Sequence, residues 1–264
     1  HHGQPVPPLM QLYPLHRGLL AAVEAGDLDL ARRMRTQIER ITATHTADRR
    51  LQGMQTDINV AVAALHAAEG DVRAAETMLS EAITKAGPER EFSTPIWARL
   101  GRAELYLRTG DTDRARTDLD IVIDKLVRRS GRAVTLRVSD IGRVRRAVAR
   151  LALDEQGQNR DSLALYEKAR SALFDERYLT PAGSVNAVSL PGASTAILVY
   201  VDDGERLGCW VLKQGGATFR PLSSSAADVR RMAFTLAFLA ERSAAGSEPW
   251  TTTLRALDRL LLEP

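Results

Sequence analysis

The sequence predicts a mostly α-helical protein, with an array of helix-turn-helix repeats followed by a small α/β segment that contains an antiparallel hairpin. Three observations lead to this fold class. Apolar residues recur at three- and four-residue spacings up to Leu179. Breaks that contain glycine interrupt this pattern at intervals of 44, 40 and 47 residues. From Pro181 onward, loops rich in proline and glycine alternate with short runs typical of β-strands.

The composition is that of a folded globular chain and excludes several classes of protein. Of the 264 residues, 44% are hydrophobic and 26% are charged, which argues against a disordered or collagen-like protein. The longest aliphatic run, Thr195 to Val201, is far shorter than the roughly 20 residues of a membrane span, so no membrane partner is expected. The single cysteine, Cys209, excludes an internal disulfide and favours a cytoplasmic location.

The net charge of +3 is small but unevenly distributed. Between Arg114 and Arg150, eleven lysines and arginines stand against four aspartates, and this stretch contains no aromatic residue. Nucleic-acid binding requires a basic surface together with a reader motif or stacking aromatic side chains. We therefore expect this stretch to form a solvated or partner-facing helix surface, and nucleic acid is not an expected partner.

Four glycines mark the internal repeat. When Gly26, Gly70, Gly110 and Gly157 are aligned, a small residue follows each of them after five positions. These small residues are Ala31, Ala75, Ala115 and Ser162. Two antiparallel helices that cross closely need small side chains at the crossing, and the turn between them needs a residue that tolerates a left-handed backbone. The spacing therefore predicts a series of helix pairs.

The repeated Gly-Asp-x-x-x-Ala pattern resembles the tetratricopeptide repeat over residues 9–179. The resemblance implies an array of stacked helix pairs, whereas a helical bundle of another kind is the alternative. The periods are longer than the usual 34 residues of this family, which predicts extended helices or turns. Residues 1–8 are predicted to be a flexible lead-in, in which His1-His2 resemble the remnant of a purification tag.

Repeats of this family present a concave surface lined by the first helix of each pair, which implies a site for a protein partner or substrate. In this register the surface would include Asp57, Ala64, Trp97, Glu104, Val144 and Asp154. Trp97 is the candidate anchor, because aromatic residues contribute much of the binding energy at protein interfaces. The candidate protein-binding residues are therefore Trp97, Glu104, Asp57 and Asp154. The alternative for Trp97, which follows Pro95, is packing within the stack.

The second part of the chain has a different pattern of elements. Runs at 195–201 and 206–213 flank the short polar connection Asp202-Asp203-Gly204, which predicts two antiparallel strands joined by a tight turn. A third strand is predicted at 217–222. Two helices are predicted at about 225–243 and 249–262, with the hydroxyls of Ser223-Ser224-Ser225 available to cap the first.

Residues 184–264 resemble the beginning of the CHAT domain, a caspase-like domain that often follows tetratricopeptide repeats. The matching features are Ala196-Ile-Leu-Val-Tyr-Val201 before an acidic-glycine turn and Leu207-Gly-Cys-Trp-Val-Leu212 with its central tryptophan. The third strand, the following helix and the apolar helix that ends at Pro264 continue the match. The resemblance implies a relation to caspase and separase peptidases, many of which are cysteine endopeptidases.

The resemblance also implies that the catalytic His and Cys lie beyond Pro264, so we expect no catalytic residue in this chain. Cys209 lies in a hydrophobic strand without a histidine nearby in sequence, which favours a packing role over a nucleophilic role. His16, His45 and His66 lack paired metal-ligand spacing, so no metal site is expected. The glycines at 192, 215 and 216 lack the Gly-Lys-Ser/Thr sequence of a phosphate loop, so no cofactor is expected either.

Two functional hypotheses follow from the sequence. In the first, the chain is the regulatory and structural front end of a caspase-like cysteine peptidase, whose catalytic segment lies in cis or on a second chain. In the second, it is a non-catalytic adaptor whose repeats bind a protein. The first hypothesis predicts that the apolar helix near Leu254 and Leu261 either docks onto the repeats or meets a catalytic sheet.

Overall fold

The computed structural model describes residues 7–45, 49–85, 94–127, 138–155, 160–173, 197–213 and 216–225, with 227–229, 231, 252 and 256 as further positions. It divides into two compact units, His1–Lys125 and Leu126–Pro264. Within the described ranges, all regular structure up to Leu173 is helical and all strands come later. The predicted fold class, a mostly helical chain with packed helix pairs and a following antiparallel sheet, is confirmed.

Eight helices and three strands are present in these ranges. The helices are α1 Pro8–Glu24, α2 Leu28–Thr44, α3 Arg49–Ala68, α4 Val72–Lys85, α5 Thr94–Thr109, α6 Thr112–Val127, α7 Val138–Asp154 and α8 Arg160–Leu173. The strands are β1 Ile197–Asp202, β2 Leu207–Lys213 and β3 Gly216–Leu222. None of the helices in the described part of the chain is both long enough and apolar enough to cross a bilayer.

Three of the four aligned glycines end their helices in the same conformation. Gly26, Gly70 and Gly110 have φ values of 75°, 87° and 78°. This left-handed region is open to glycine but strained for residues that carry a Cβ atom. The fourth glycine, Gly157, lies outside the described residues. The conformational role predicted from the spacing is therefore confirmed at the three described turns.

An aspartate after each of these glycines starts the next helix. In the second pair, the N–H of Asp71 donates to the carbonyl of His66 at 2.9 Å, which closes the preceding helix. The carboxylate of Asp71 accepts from the N–H of Ala74 at 3.0 Å, which caps the following helix. Asp27 and Asp111 make the corresponding cap contacts at 2.9 and 3.1 Å. One Gly-Asp dipeptide thus reverses the chain in each of these three pairs.

The small residues at the fifth position after each glycine lie where the paired helices meet. Ala31, Ala75 and Ala115 are fully buried, and Ser162 is 1% exposed. In the first unit, α1 packs on α2 and α3 packs on α4, while α2 also contacts α3 and α4 contacts α5. The first helices form a row of their own, because α3 contacts both α1 and α5. This row gives the first unit a continuous side built from α1, α3 and α5.

The three strands form one antiparallel sheet in the order β1-β2-β3. Tyr200 lies opposite Cys209 in the first pairing, so the predicted hairpin is confirmed. Its turn is closed by side chains, because the N–H of Gly204 donates to Oδ1 of Asp202 at 2.7 Å. The carboxylate of Asp203 accepts from the N–H of Arg206 at 2.8 Å.

The second unit is organised around Trp210, which is 1% exposed. Its ring packs beside Phe219 of β3 and Tyr166 of α8, at centroid distances of 5.1 and 5.6 Å. Ala149 and Ala152 of α7 belong to the same core. The sequence pattern changes near residue 180, whereas the compact units divide between Lys125 and Leu126, because α7 and α8 pack with the sheet.

The predicted helix after β3 is visible at its start. Ser225 accepts a hydrogen bond from the N–H of Asp228 at 3.1 Å, as expected of a helix cap. Residues 227–229 and 231 are helical. The rest of the predicted helices at 225–243 and 249–262, including the predicted docking of the apolar helix, falls outside the described residues except for positions 252 and 256.

Candidate protein-binding surface

Three residues occupy equivalent positions on the row of first helices. Tyr13, Asp57 and Trp97 each lie thirteen residues before the turn glycine of their pair. Since the three turns have the same conformation and the three helices pack in succession, we expect these residues to lie at similar levels along the row. Tyr13 is 50% exposed, and Asp57 and Trp97 are partly exposed. We call these three residues the first-helix row.

Tyr13 is absent from the residues predicted by sequence, although the repeat itself points to it. Its distance from Gly26 equals the distance of Asp57 from Gly70 and of Trp97 from Gly110. Extending the alignment to the first pair would have identified it. Ala64 and Glu104 occupy a second set of equivalent positions, six residues before the glycine, and both are partly exposed.

The remaining predicted residues lie in the second unit and have other surroundings. Val144 is 1% exposed, so its side chain belongs to the core rather than to an open surface. Asp154 forms an ion pair with Arg206, whose Nη1 lies 2.8 Å from Oδ1 of the carboxylate. The Nε of Arg150 lies 3.8 Å from the other oxygen, Oδ2. Asp154 therefore ties the end of α7 to the β1–β2 hairpin.

A buried histidine lies beside the first-helix row. His16 is 6% exposed, its Nδ1 is 3.3 Å from the carbonyl of Leu12, and its ring contacts Tyr13 edge-on at 5.3 Å. Burial lowers the pKa of His16 below its ordinary value of 6.5, and the charge of Arg17 acts in the same direction. The Leu12 carbonyl and the charge of Asp57 partly oppose this effect on the pKa.

The lowered pKa predicts a loss of stability in mild acid. Below about pH 6.5 the unfolded chain binds a proton at His16, whereas the folded chain binds this proton only at lower pH. The free energy of unfolding therefore decreases as the pH is lowered. We expect urea unfolding at pH 7.5 and 5.5 to show a smaller decrease in His16→Leu than in the unsubstituted chain. Leucine is a suitable replacement, because the equivalent Val60 and Leu100 are buried. The exposed His45→Gln serves as control, and an unchanged pH dependence in His16→Leu would contradict the prediction.

A buried carboxylate connects three neighbouring helices of the first unit. Asp118 of α6 is 2% exposed and accepts hydrogen bonds from Arg102 at 2.7 and 2.9 Å and from Arg99 at 2.9 Å. Arg102 also donates to the hydroxyl of Ser80 on α4 at 3.0 Å. This cluster, Ser80-Arg99-Arg102-Asp118, connects α4, α5 and α6 and is named the arginine clamp.

A second set of contacts joins the same three helices near the Gly110 turn. The hydroxyl of Tyr106 donates to Glu76 at 2.8 Å, and Arg114 donates to the same oxygen at 2.9 Å. The guanidinium of Arg114 also lies 4.3 Å from the centre of the Tyr106 ring, within cation–π distance. Burial, together with the hydrogen bond to Glu76, raises the pKa of Tyr106. These contacts position Trp97 and Glu104 by holding α5 in place.

Cys209 lies in a buried strand of the second unit and is 4% exposed. Its Sγ donates to the carbonyl of Trp210 at 3.4 Å, and burial raises the pKa of the thiol. A reactive cysteine needs the opposite shift, because the thiolate is the nucleophile. Among the described residues, no group of three His, Cys, Asp or Glu side chains is arranged to hold a metal ion.

Comparison with models of protein families, with curated proteins and with solved structures finds no match for this chain. The geometry of the chain itself therefore carries the functional argument. That geometry offers a partly exposed row of aromatic and acidic side chains on stacked helices in the first unit, and a buried thiol in the second.

Proposed function

We propose that the chain is the regulatory and scaffolding part of a caspase-like cysteine peptidase, in which tetratricopeptide-type repeats bind a protein partner or substrate. The three-stranded segment would be the start of a CHAT-type domain, and the catalytic segment would be supplied in cis or by a second chain. The observation that carries the proposal is the stack of helix pairs, with identical Gly-Asp turns, followed by the antiparallel sheet.

The helical part supports a binding role because it aligns equivalent side chains at regular intervals. The helices α1, α3 and α5 pack in succession and carry Tyr13, Asp57 and Trp97 at equivalent positions. Helical repeats whose neighbours stack in this way form extended surfaces that suit peptide or protein binding. The arginine clamp keeps the repeats at fixed spacing, so the surface is preorganised for a partner.

The sheet supports the CHAT-type assignment through the order of its parts. An acidic-glycine turn follows β1, Trp210 lies in the middle of β2, and β3 completes the antiparallel sheet. The buried surroundings of Cys209 and the raised pKa of its thiol support a catalytic residue located elsewhere.

The test compares two proteins. One is this 264-residue chain, and the other is the product of its natural reading frame continued past Pro264. We expect the continuation to encode a strand followed by His and a later strand followed by Cys. A peptide library should be cleaved by the longer product and not by the 264-residue chain. Alanine at the new cysteine should abolish cleavage, whereas Cys209→Ala in the longer product should leave it unchanged.

Two results would overturn the proposal in different ways. Cleavage by the 264-residue chain that Cys209→Ala abolishes would place a catalytic site in this chain. A stop codon directly after Pro264, with no peptidase partner encoded alongside, would favour the second candidate, a non-catalytic adaptor. The first-helix row supports the adaptor as well as it supports the peptidase front end, because partner binding does not require a peptidase.

A further inference from the structure

We propose that His16 is a pH-sensitive latch, whose protonation in mild acid separates the first helix pair, α1 and α2, from α3 while α5 and α6 remain folded. The loss of stability predicted above concerns unfolding of the whole chain, whereas this opening is confined to one helix pair. It regulates how much of the helical array is assembled at a given pH, and it is independent of the peptidase assignment.

The position of His16 is apolar in the next two helix pairs. His16 lies ten residues before the turn glycine of its pair, and Val60 and Leu100 occupy the equivalent positions. All three side chains are buried. The first pair therefore carries a group that can gain a charge at a position where the following pairs carry hydrocarbon.

His16 lies on the side of α1 that packs into the core of the first unit. Leu12 and Leu19, four residues before it and three after it, belong to one cluster with Ile38 of α2 and Ile58 of α3. A charged imidazolium in apolar surroundings costs free energy unless it is paired or hydrated. Protonation therefore favours an arrangement in which α3 has moved away and water reaches the ring.

The groups that face His16 do not offset its burial. Asp57 of α3 favours the charged ring, Arg17 of α1 disfavours it, and the carbonyl of Leu12 lies 3.3 Å from Nδ1. Tyr13, another titratable neighbour on α1, contacts the ring edge-on at 5.3 Å. The part of α2 that packs against this core is apolar and contains Met34, Ile38 and Ile41. Burial has the largest effect, so the pKa of His16 lies below its ordinary value.

The construction of the first pair favours its opening as one body. A Cβ atom at Gly18 would lie 2.8 Å from Sδ of Met34, so α1 and α2 approach each other closely. The α1 helix begins after Pro7, which has no side-chain acceptor for a cap, and it contains Pro14, which cannot donate to the carbonyl of Met10. The pair lies at one end of the described array, where only contacts with the next pair hold it.

Opening should increase as the pH is lowered. Below about pH 6.5 the ring binds a proton in the open state, whereas in the closed state it binds this proton only at lower pH. Between the two pKa values the equilibrium constant for opening rises by up to about tenfold per pH unit. From pH 7.5 to 5.5 the total increase is therefore about tenfold at most.

The test is native-state hydrogen exchange of the full chain at pH 7.5 and 5.5, read by mass spectrometry on peptides from α1, α2, α5 and α6. Protection is corrected for the intrinsic pH dependence of amide exchange. We expect α1 and α2 to be less protected than α5 and α6 at both pH values, because the pair opens without global unfolding. The protection of α1 and α2 should fall severalfold at pH 5.5, up to about tenfold.

Three variants separate the latch from a general effect of acid. His16→Leu supplies the hydrocarbon found in the next pairs, so the protection of α1 and α2 should no longer fall at pH 5.5. Asp57→Asn should enlarge the fall, because this carboxylate favours the charged ring in the closed state. His45→Gln replaces an exposed histidine at the end of α2 and should leave the pH response unchanged.

Two outcomes would overturn the latch. A pH response of α1 and α2 that survives in His16→Leu would assign it to another group. Equal protection of α1–α2 and α5–α6 at both pH values would mean that the array opens in one cooperative step. Neither outcome bears on whether the repeats bind a protein, so the proposed function would stand in both cases.

Discussion

Replacing Asp118 by alanine is expected to lower the free energy of unfolding by about 3–5 kcal/mol, the range typical for breaking a buried ion pair at one partner. The carboxylate is 2% exposed and accepts three hydrogen bonds from two guanidinium groups. Removal leaves Arg99 and Arg102 between α5 and α6 without their counter-charge. The desolvation cost of these groups then remains without compensation.

The effect should depend on the buried position rather than on the loss of any acidic residue. Asp120, two residues further along α6, is exposed. Asp120→Ala should therefore change stability by no more than about 1 kcal/mol, as surface charges usually do. The loss of stability in Asp118→Asn should lie between those of Asp118→Ala and Asp120→Ala, because asparagine keeps the shape of the side chain but not its charge. Urea unfolding of the three variants measures the difference, and similar losses for Asp118→Ala and Asp120→Ala would contradict the role of the arginine clamp.

The repeat could be predicted from sequence because each of its structural features has a cause in neighbouring residues. Glycine at a left-handed position, aspartate at a helix start and alanine at a close crossing are requirements of neighbouring residues. Gly70, Asp71 and Ala75 satisfy all three within six positions. The hairpin was predictable for the same reason, since its turn is closed by Asp202 and Asp203 themselves.

The arginine clamp and the boundary of the second unit could not be predicted in this way, because they depend on contacts distant in sequence. Asp118 lies nineteen residues from Arg99, and no short motif connects them. Tyr166 and Trp210 are further apart still, yet their contact joins α8 to the sheet. The sequence supports an interpretation of the arginine-rich stretch only through its net charge and its lack of aromatic residues. The ion pairs that Arg114 makes with Asp111 and Glu76 could not be read from that sum.

Among the described glycines of the second unit, Gly208 is the one where an added methyl group is expected to disturb the packing most. A Cβ atom there would overlap Cζ of Phe219 and would lie 2.9 Å from Cδ2 of Leu153 on α7. Both approaches are closer than van der Waals contact, so the sheet or the ring must move. We expect Gly208→Ala to cost at least about 1–3 kcal/mol, the range for overpacking a core. The near-ultraviolet circular dichroism should change as well, because Phe219 also packs against Trp210.

The chain offers a matched control for Gly208→Ala at the start of β3. A Cβ atom added at Gly216 would meet no atom within 4 Å, and this glycine does not have a left-handed backbone. Gly216→Ala should therefore change the free energy of unfolding by no more than about 0.5 kcal/mol. Phe219→Leu removes the ring that the new methyl group would strike. The double variant Gly208→Ala, Phe219→Leu should consequently be more stable than the sum of the single effects predicts. Additive losses in this cycle would mean that the ring does not cause the cost, and the close approach of β2 to β3 and α7 would then need another explanation.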